Sequence, residues 1–307
     1  MSPLLGISLK LLSALAFTLM SASIKAISTR YPTGELVFVR SFFAMIPLLL
    51  WLGWQGGVGA ALRTRNLRGH LKRGMFGSTG MFCGFASLQF LPLSDSVAIG
   101  YAAPLLVVVL AALVLKERVR IYRWTAVGVG FIGVIIMLSP HLGVASHGAG
   151  NGPLIGVAFG LAGALCSSFA SVEVRQLTRT EGTGAIVFYF MLLTSALGLC
   201  TIVFGWQMPG WQDAGMMVVI GILGGLGQIL LVQAYRYGDA SLIAPFEYST
   251  MLWAVAIGWF VFGEWPVSAV LLGASIVIAS GIYVILREQQ LGLLKREQRE
   301  VGSSRGT

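Results

Sequence analysis

The chain has 307 residues, 56% of them hydrophobic and only 11% charged, with a mean hydropathy of +0.82. A water-soluble domain carries about 25% charged residues, so 21 basic and 12 acidic side chains cannot cover a soluble surface without large apolar patches. The net charge of +9 would suggest nucleic acid in a soluble protein, but here it is weighed first against the lysine and arginine bias of membrane loops.

Apolar runs near the roughly 20 residues that cross a bilayer predict ten spans, at 3–27, 34–54, 72–91, 94–115, 121–140, 152–174, 184–205, 214–235, 240–262 and 267–286. The runs are continuous, without the alternation of a transmembrane β-barrel. The loops are short and leave no room for a soluble catalytic domain, and only the tail from Arg287 to Thr307 reads as solvated. If the N-terminus is cytoplasmic, the loops on that side hold Arg63, Arg65, Arg68, Lys72, Arg73, Lys116, Arg118, Arg120, Arg123, Arg175, Arg179, Arg236 and the five basic residues of the tail. Lys25 and Arg30 stand on the other side, while Lys10 and Arg40 fall inside spans. This split predicts both termini inside, in a cytoplasmic (inner) membrane, and turns the net charge into a topology signal with no nucleic-acid partner.

In the first span, Ser21-Ala22-Ser23 resembles a signal-peptide cleavage site, but no basic segment precedes it. At 100° per residue, Lys10, Ser13, Phe17, Ser21 and Lys25 share one arc of about 120°, as do Gly160, Gly163, Ser167, Ser171 and Arg175 in the sixth span. Such a stripe suits a helix lining a wet cavity. Lys10 and Arg175 are read as side chains reaching the interfaces, while Lys25 stays open between that role and a lining one. Arg40 lies six residues inside the second span, about 9 Å of rise from its end, and either meets an acidic group of a substrate or pairs structurally. Gln89 and Gln233, near the ends of spans three and eight, and Tyr101 and Tyr248, in spans four and nine, are candidate lining groups, with Gln228 a weaker one. Glu247 is placed on a helix face with Ile243, Met251, Ala254 and Gly258. Burial would raise its pKa toward neutrality, which suits a proton- or cation-coupling group; the structural alternative is an ion pair with Arg40 or Lys25.

The remaining punctuation reads as structure. Gly80/Gly84, Gly156/Gly160 and Gly221/Gly225 are spacings for close helix approach. Asp95 and Asp239 fit helix N-caps, and Cys83, Cys166 and Cys200 fit small apolar fillers. His70, His141 and His147 fall in predicted loops with no catalytic or metal-spaced cluster, and no P-loop motif occurs, so neither an enzyme, a metal nor a cofactor is expected.

The chain is written twice. Pro3-Leu4-Leu5-Gly6 matches Pro153-Leu154-Ile155-Gly156 at an offset of 150, which also aligns Thr33-Gly34 with Thr183-Gly184 and Lys25 with Arg175. Offsets of 144 and 147 then pair Gly77 with Gly221, Gly80 with Gly224, Gln89 with Gln233, Asp95 with Asp239, Tyr101 with Tyr248 and Glu117 with Glu264. The register makes the first span part of a repeating unit. Each unit holds five spans, and because five is odd the second copy enters the membrane from the opposite side, as in secondary transporters. Arg40 has Phe190 as its repeat mate, so that charge belongs to one half only.

Ten spans in a five-plus-five repeat, Ala103-Pro104 and Ala244-Pro245 inside the fourth and ninth spans, and Lys116-Glu117 and Gly263-Glu264 closing them resemble the drug/metabolite transporter superfamily, EamA branch. The resemblance covers nearly the whole chain, with repeats at 1–142 and 152–287 and a cytoplasmic tail at 288–307. Pro104 lies 13 residues before Glu117 but Pro245 lies 19 before Glu264, so the two prolines are not at matching heights. The resemblance implies an all-α membrane protein of two inverted five-helix repeats around a central cavity, with spans five and ten at the periphery and a homodimer as a further partner. It implies a secondary transporter; the residues singled out above, Ser21, Lys25, Arg40, Gln89, Tyr101, Gln233, Glu247 and Tyr248, are the candidate site, whose mixed lining suits a small polar or zwitterionic metabolite, with Glu247 coupling transport to protons. Efflux of amphipathic cations and a non-transporting scaffold or sensor remain the alternatives.

Overall fold

The computed structural model describes residues 3–54, 57–113, 119–145, 151–177, 180–237 and 244–304. All regular elements among these residues are helical: α1 (Pro3–Ile27), α2 (Thr33–Trp54), a one-turn α3 (Val58–Ala61), α4 (Leu67–Phe90), α5 (Leu93–Gly100), α6 (Ala102–Leu113), α7 (Ile121–Ala145), α8 (Gly152–Leu177), α9 (Thr183–Cys200), α10 (Trp211–Tyr237), α11 (Ser249–Phe262) and α12 (Ser268–Ser304). Two 3-10 turns, Thr201–Phe204 and Ala244–Tyr248, complete the chain. Eight helical segments are long and apolar enough to cross a membrane, and Phe246–Phe262 is a shorter apolar one. With the 24-residue α4, whose first turns carry Arg68, Lys72 and Arg73, they account for the ten predicted spans. The protein is an all-α membrane protein.

The fourth span is broken where proline dictates it. Pro104 has no N–H to offer Gly100, so α5 ends there and the chain restarts as α6 after a turn at Tyr101, whose N–H bonds to Ala98 instead. In the ninth span Pro245 falls in the 3-10 turn, and the regular helix begins only at Ser249. The expectation of one continuous helix face carrying Ile243, Glu247 and Met251 is thereby corrected: Glu247 sits in the turn, ahead of α11. Asp95 is likewise not a cap. Pro92 holds the cap position of α5, and Asp95 lies buried in the first turn, accepting from Ser94 Oγ at 3.0 Å. Asp239 and Glu117 lie outside the described residues, as does the side chain of Arg175.

Helix pairing follows a two-fold rule. α1 packs on α10 and α8 on α4; α2 packs on α10 and α9 on α4; α1 packs on α11 and α8 on α6. Each pair maps onto the other when the two halves are exchanged, while α2 with α9 and α7 with α12 map onto themselves. Small residues make the approaches possible. A Cβ on Gly163 of α8 would sit 3.2 Å from the Gly80 carbonyl and the Gly84 amide of α4, and Gly273 of α12 lies against the Gly133 carbonyl of α7. One apolar core joins Ile24, Leu36, Val37, Leu93 and Ile220 from the first half and α10, and a second joins Tyr101, Leu105, Met137, Val270 and Val277.

Candidate functional site

Three polar groupings break the apolar interior, and they take up all the predicted site residues except Ser21 and Gln233. The first lies where α1 meets the 3-10 turn. Lys10 is 1% exposed, and its ammonium pairs with the carboxylate of Glu247. Lys10 therefore does not reach for an interface, and the partner of Glu247 is neither Arg40 nor Lys25. Glu247 is also not buried: its side chain is 48% exposed and lines a cavity of ≈280 Å³ with Pro104, Leu105, Tyr248, Ser280 and Gly281. Tyr101 comes to the same place. Its hydroxyl meets Thr250 Oγ1 and donates to the Tyr248 carbonyl at 3.4 Å, and its ring stands edge-on to Tyr248 with centroids 5.3 Å apart. The two tyrosines related by the repeat thus touch across the junction of the halves.

The second grouping closes the face at which α1 ends. Gly263 takes the left-handed conformation, φ 66°, that few residues other than glycine adopt cheaply, and caps α11 while Glu264 N–H turns back to the Gly258 carbonyl. That turn presents the Glu264 carboxylate to Lys25 Nζ at 3.0 Å and to the Leu93 amide at 3.2 Å. Lys25 also donates to the Leu91 carbonyl at 2.7 Å. Gln89 belongs to this closure, donating to the Ser28 carbonyl at 2.9 Å and to Thr33 Oγ1 at 3.1 Å, which ties α4 to the loop after α1. Beside it Arg30 and Tyr31 both donate to Asp213 in the first turn of α10 at 2.8 Å. The bond to Asp213 pushes the Tyr31 phenol above its usual range, with burial adding to the effect.

The opposite face carries a counterpart. Glu181, which the 150 offset pairs with Tyr31, accepts from the Arg65 amide at 2.8 Å and stands 3.6 Å from His70 Nε2 in the first turn of α4. Burial pushes this carboxyl up, but the Arg65 amide, His70 and the Asn66 amide outweigh it and leave it below its ordinary value. His70 and His141 are therefore residues of α4 and α7, contrary to the loop assignment, and His147 lies outside the described residues.

The third grouping was invisible in the sequence as a grouping. Arg40 is 4% exposed, and its Nε and Nη1 are buried without a hydrogen-bond partner. Arg73, counted above among loop charges, stands in the second turn of α4 with its Nε and Nη1 equally sealed, and its guanidinium lies 4.1 Å from the centroid of Phe190. The sequence signal that could have found it is Gly77, one turn on: a Cβ there would collide with Arg73 Nη1, so the side chain runs inward along α4 instead of out toward the face. Ser21 and Gln233 are half-buried on α1 and α10 and join none of the three groupings through a described hydrogen bond. Ser13, from the same predicted stripe, donates to the Gly227 carbonyl at 2.8 Å and fixes α1 to α10.

A two-fold bundle of membrane helices with charged pairs inside it is the architecture of a multi-pass membrane protein built from two exchanged halves. The EamA-like transporter family model matches residues 4–139 and again 154–287, and the chain belongs to that family. It is similar over nearly its whole length to curated transporters. The pseudopaline exporter CntI of Pseudomonas aeruginosa (strain UCBPP-PA14) is 27% identical over 279 residues, 90% of this chain and 94% of that one. The S-adenosylmethionine uptake transporter of Rickettsia prowazekii (strain Madrid E) is 26% identical over 292 residues, 95% and 96% of the two chains. The riboflavin transporter of Vibrio cholerae serotype O1 is 28% identical over 286 residues, 92% and 93%. A solved crystal structure shares the fold, with a TM-score of 0.62 at 20% identity over 92% of this chain and 98% of that one.

Proposed function

We propose that the protein is a secondary active transporter that carries a small polar or zwitterionic metabolite across the cytoplasmic membrane by alternating access, with both termini cytoplasmic. The observation that carries the reading is the matched closure of the two faces. Tyr31 on Asp213 at one face and Glu181 on His70 at the other join the same elements with the halves exchanged, so opening one face while the other closes repeats a single movement in two orientations. The relatives named for pseudopaline, S-adenosylmethionine and riboflavin support a polar organic cargo.

Glu247 is the proton-coupling group of this reading. It is reachable from its cavity yet paired with buried Lys10, so protonation removes the charge that holds α1 to the 3-10 turn. Tyr101 and Tyr248 stand beside it, and Lys25 with Glu264 latches the opposite face.

Counterflow in proteoliposomes tests the function. Preloaded unlabelled solute is expected to draw in label for at least one of riboflavin, S-adenosylmethionine, amino acids or nucleosides. A response confined to hydrophobic cations would mean amphipathic-cation efflux, and no flux from folded protein would sink transport altogether. Under an imposed proton gradient, Glu247→Gln is expected to abolish the gradient dependence, and undiminished coupling removes Glu247 from that role.

A further inference from the structure

We infer that Arg40 and Arg73 form a two-guanidinium site for an oxyanion group, carboxylate or phosphate, of the transported solute, an inference that rests on the transport reading above. Buried cations are retained in low-dielectric interiors when they are paired or hydrogen-bonded. Neither is the case here. Among the described residues the four ion pairs are Lys10–Glu247, Lys25–Glu264, Arg30–Asp213 and His70–Glu181, and none includes Arg40 or Arg73. On each guanidinium Nε and Nη1 are buried and unsatisfied. Arg40 and Arg73 stand on α2 and α4, which pack against each other, so the charge near Arg40 is a like charge.

The surroundings hold these side chains in place without neutralising them. Phe190 of α9 supports the Arg73 guanidinium face at 4.1 Å, which leaves its donor edge free of the ring. Gly224 of α10 gives Arg40 its room, since a Cβ there would sit 3.0 Å from Arg40 Nε and 3.0 Å from Met20 Sδ of α1. Gly77 does the same for Arg73. Five helices, α1, α2, α4, α9 and α10, thus enclose donors and no described acceptor for them.

An oxyanion supplies what is missing. The guanidinium fork offers two parallel N–H groups that match the two oxygens of a carboxylate or two of a phosphate, and one anion between the two cations replaces repulsion by attraction on both sides. The site also explains its own asymmetry. The repeat mates of Arg40 and Arg73 are Phe190 and Met217, so the charge sits in one half, as a cargo-binding group can and a scaffold feature of both halves would not.

The test is thermal unfolding of the full-length, detergent-purified protein at fixed chloride, titrated with succinate, with inorganic phosphate and with choline. Saturable stabilisation by succinate or phosphate and none by choline is expected, with succinate alone marking a carboxylate and phosphate alone a phosphate group. Arg40→Gln and Arg73→Gln are each expected to weaken that response about tenfold or more. Without anion, either variant is expected to melt higher than the natural protein, because one of two like buried charges is gone. No saturable response, equal stabilisation by choline, or a response unchanged in both variants overturns the site. Variants that melt lower without anion show a structural pair and overturn it as well. Counterflow is read separately: anion binding without flux of any solute refutes transport and leaves the site standing.

Discussion

Lys10 and Glu247 show how far a single residue's role depends on its partner. Alone in the sequence, Lys10 is a basic residue three turns from the chain start with a ready route to the interface. In the fold it is closed in, and the acid that meets it comes from the other half. Replacing Glu247 by Gln leaves a buried ammonium with a weakened partner, at a cost of about 1–3 kcal/mol, toward the lower end because the carboxylate is half exposed. Lys10→Met with Glu247→Gln is expected to be less destabilising than the sum of the single changes, a coupling that a double-mutant cycle of unfolding midpoints reads directly. A cycle that closes additively would show that the two side chains do not act on each other.

At the scale of elements, the glycine contacts divide into those that hold helices together and those that do not. Gly273 lies against the backbone carbonyl of Gly133, and backbone cannot turn aside as a side chain can. Gly273→Ala is therefore expected to separate α7 from α12 and to lower stability by about 1–3 kcal/mol. Gly128→Ala on the same α7, where a Cβ meets nothing within 4 Å, is expected to be neutral or slightly stabilising. Equal melting shifts for the two would contradict the packing. The turn between α8 and α9 carries a pH-dependent contact. The folded-state pKa of Glu181 is depressed, so its contribution is present above the ordinary carboxylate value of 4.5 and fades as the pH falls through the lower folded value. Glu181→Gln is expected to flatten the acid limb of the stability profile below about pH 4.5 and to leave its shape near neutrality unchanged.

For the whole molecule, the matched closures of the two faces set a balance between conformations. Lys25–Glu264 is a partly buried pair supplemented by the Leu91 carbonyl and the Leu93 amide. Removing a contact worth about 1 kcal/mol shifts a two-state population about fivefold. Glu264→Gln is expected to raise by about that factor the rate at which a thiol reagent applied from the α1-end face labels a cysteine placed at Ser21. An unchanged rate would show that this pair does not hold the face shut.

Composition, apolar run length and the internal repeat determined by themselves that the chain is a membrane protein of ten spans in two related halves, because burial in a bilayer imposes its signature on every span separately. Pro104 and Pro245 were visible inside the fourth and ninth spans, but both spans were predicted as continuous, and it is the structure that ends α5 at Gly100 and sets Glu247 in a 3-10 turn ahead of α11. Which polar residues meet was not legible. Lys10 finds Glu247 across 237 residues, Lys25 finds Glu264 through the turn that Gly263 permits, and Arg73 is drawn inward only because Gly77 leaves space one turn along α4. Those pairings depend on which helix faces which, and only the tertiary structure decides that: the two-fold exchange of α1, α4, α8 and α10 brings together side chains that no spacing along one helix relates.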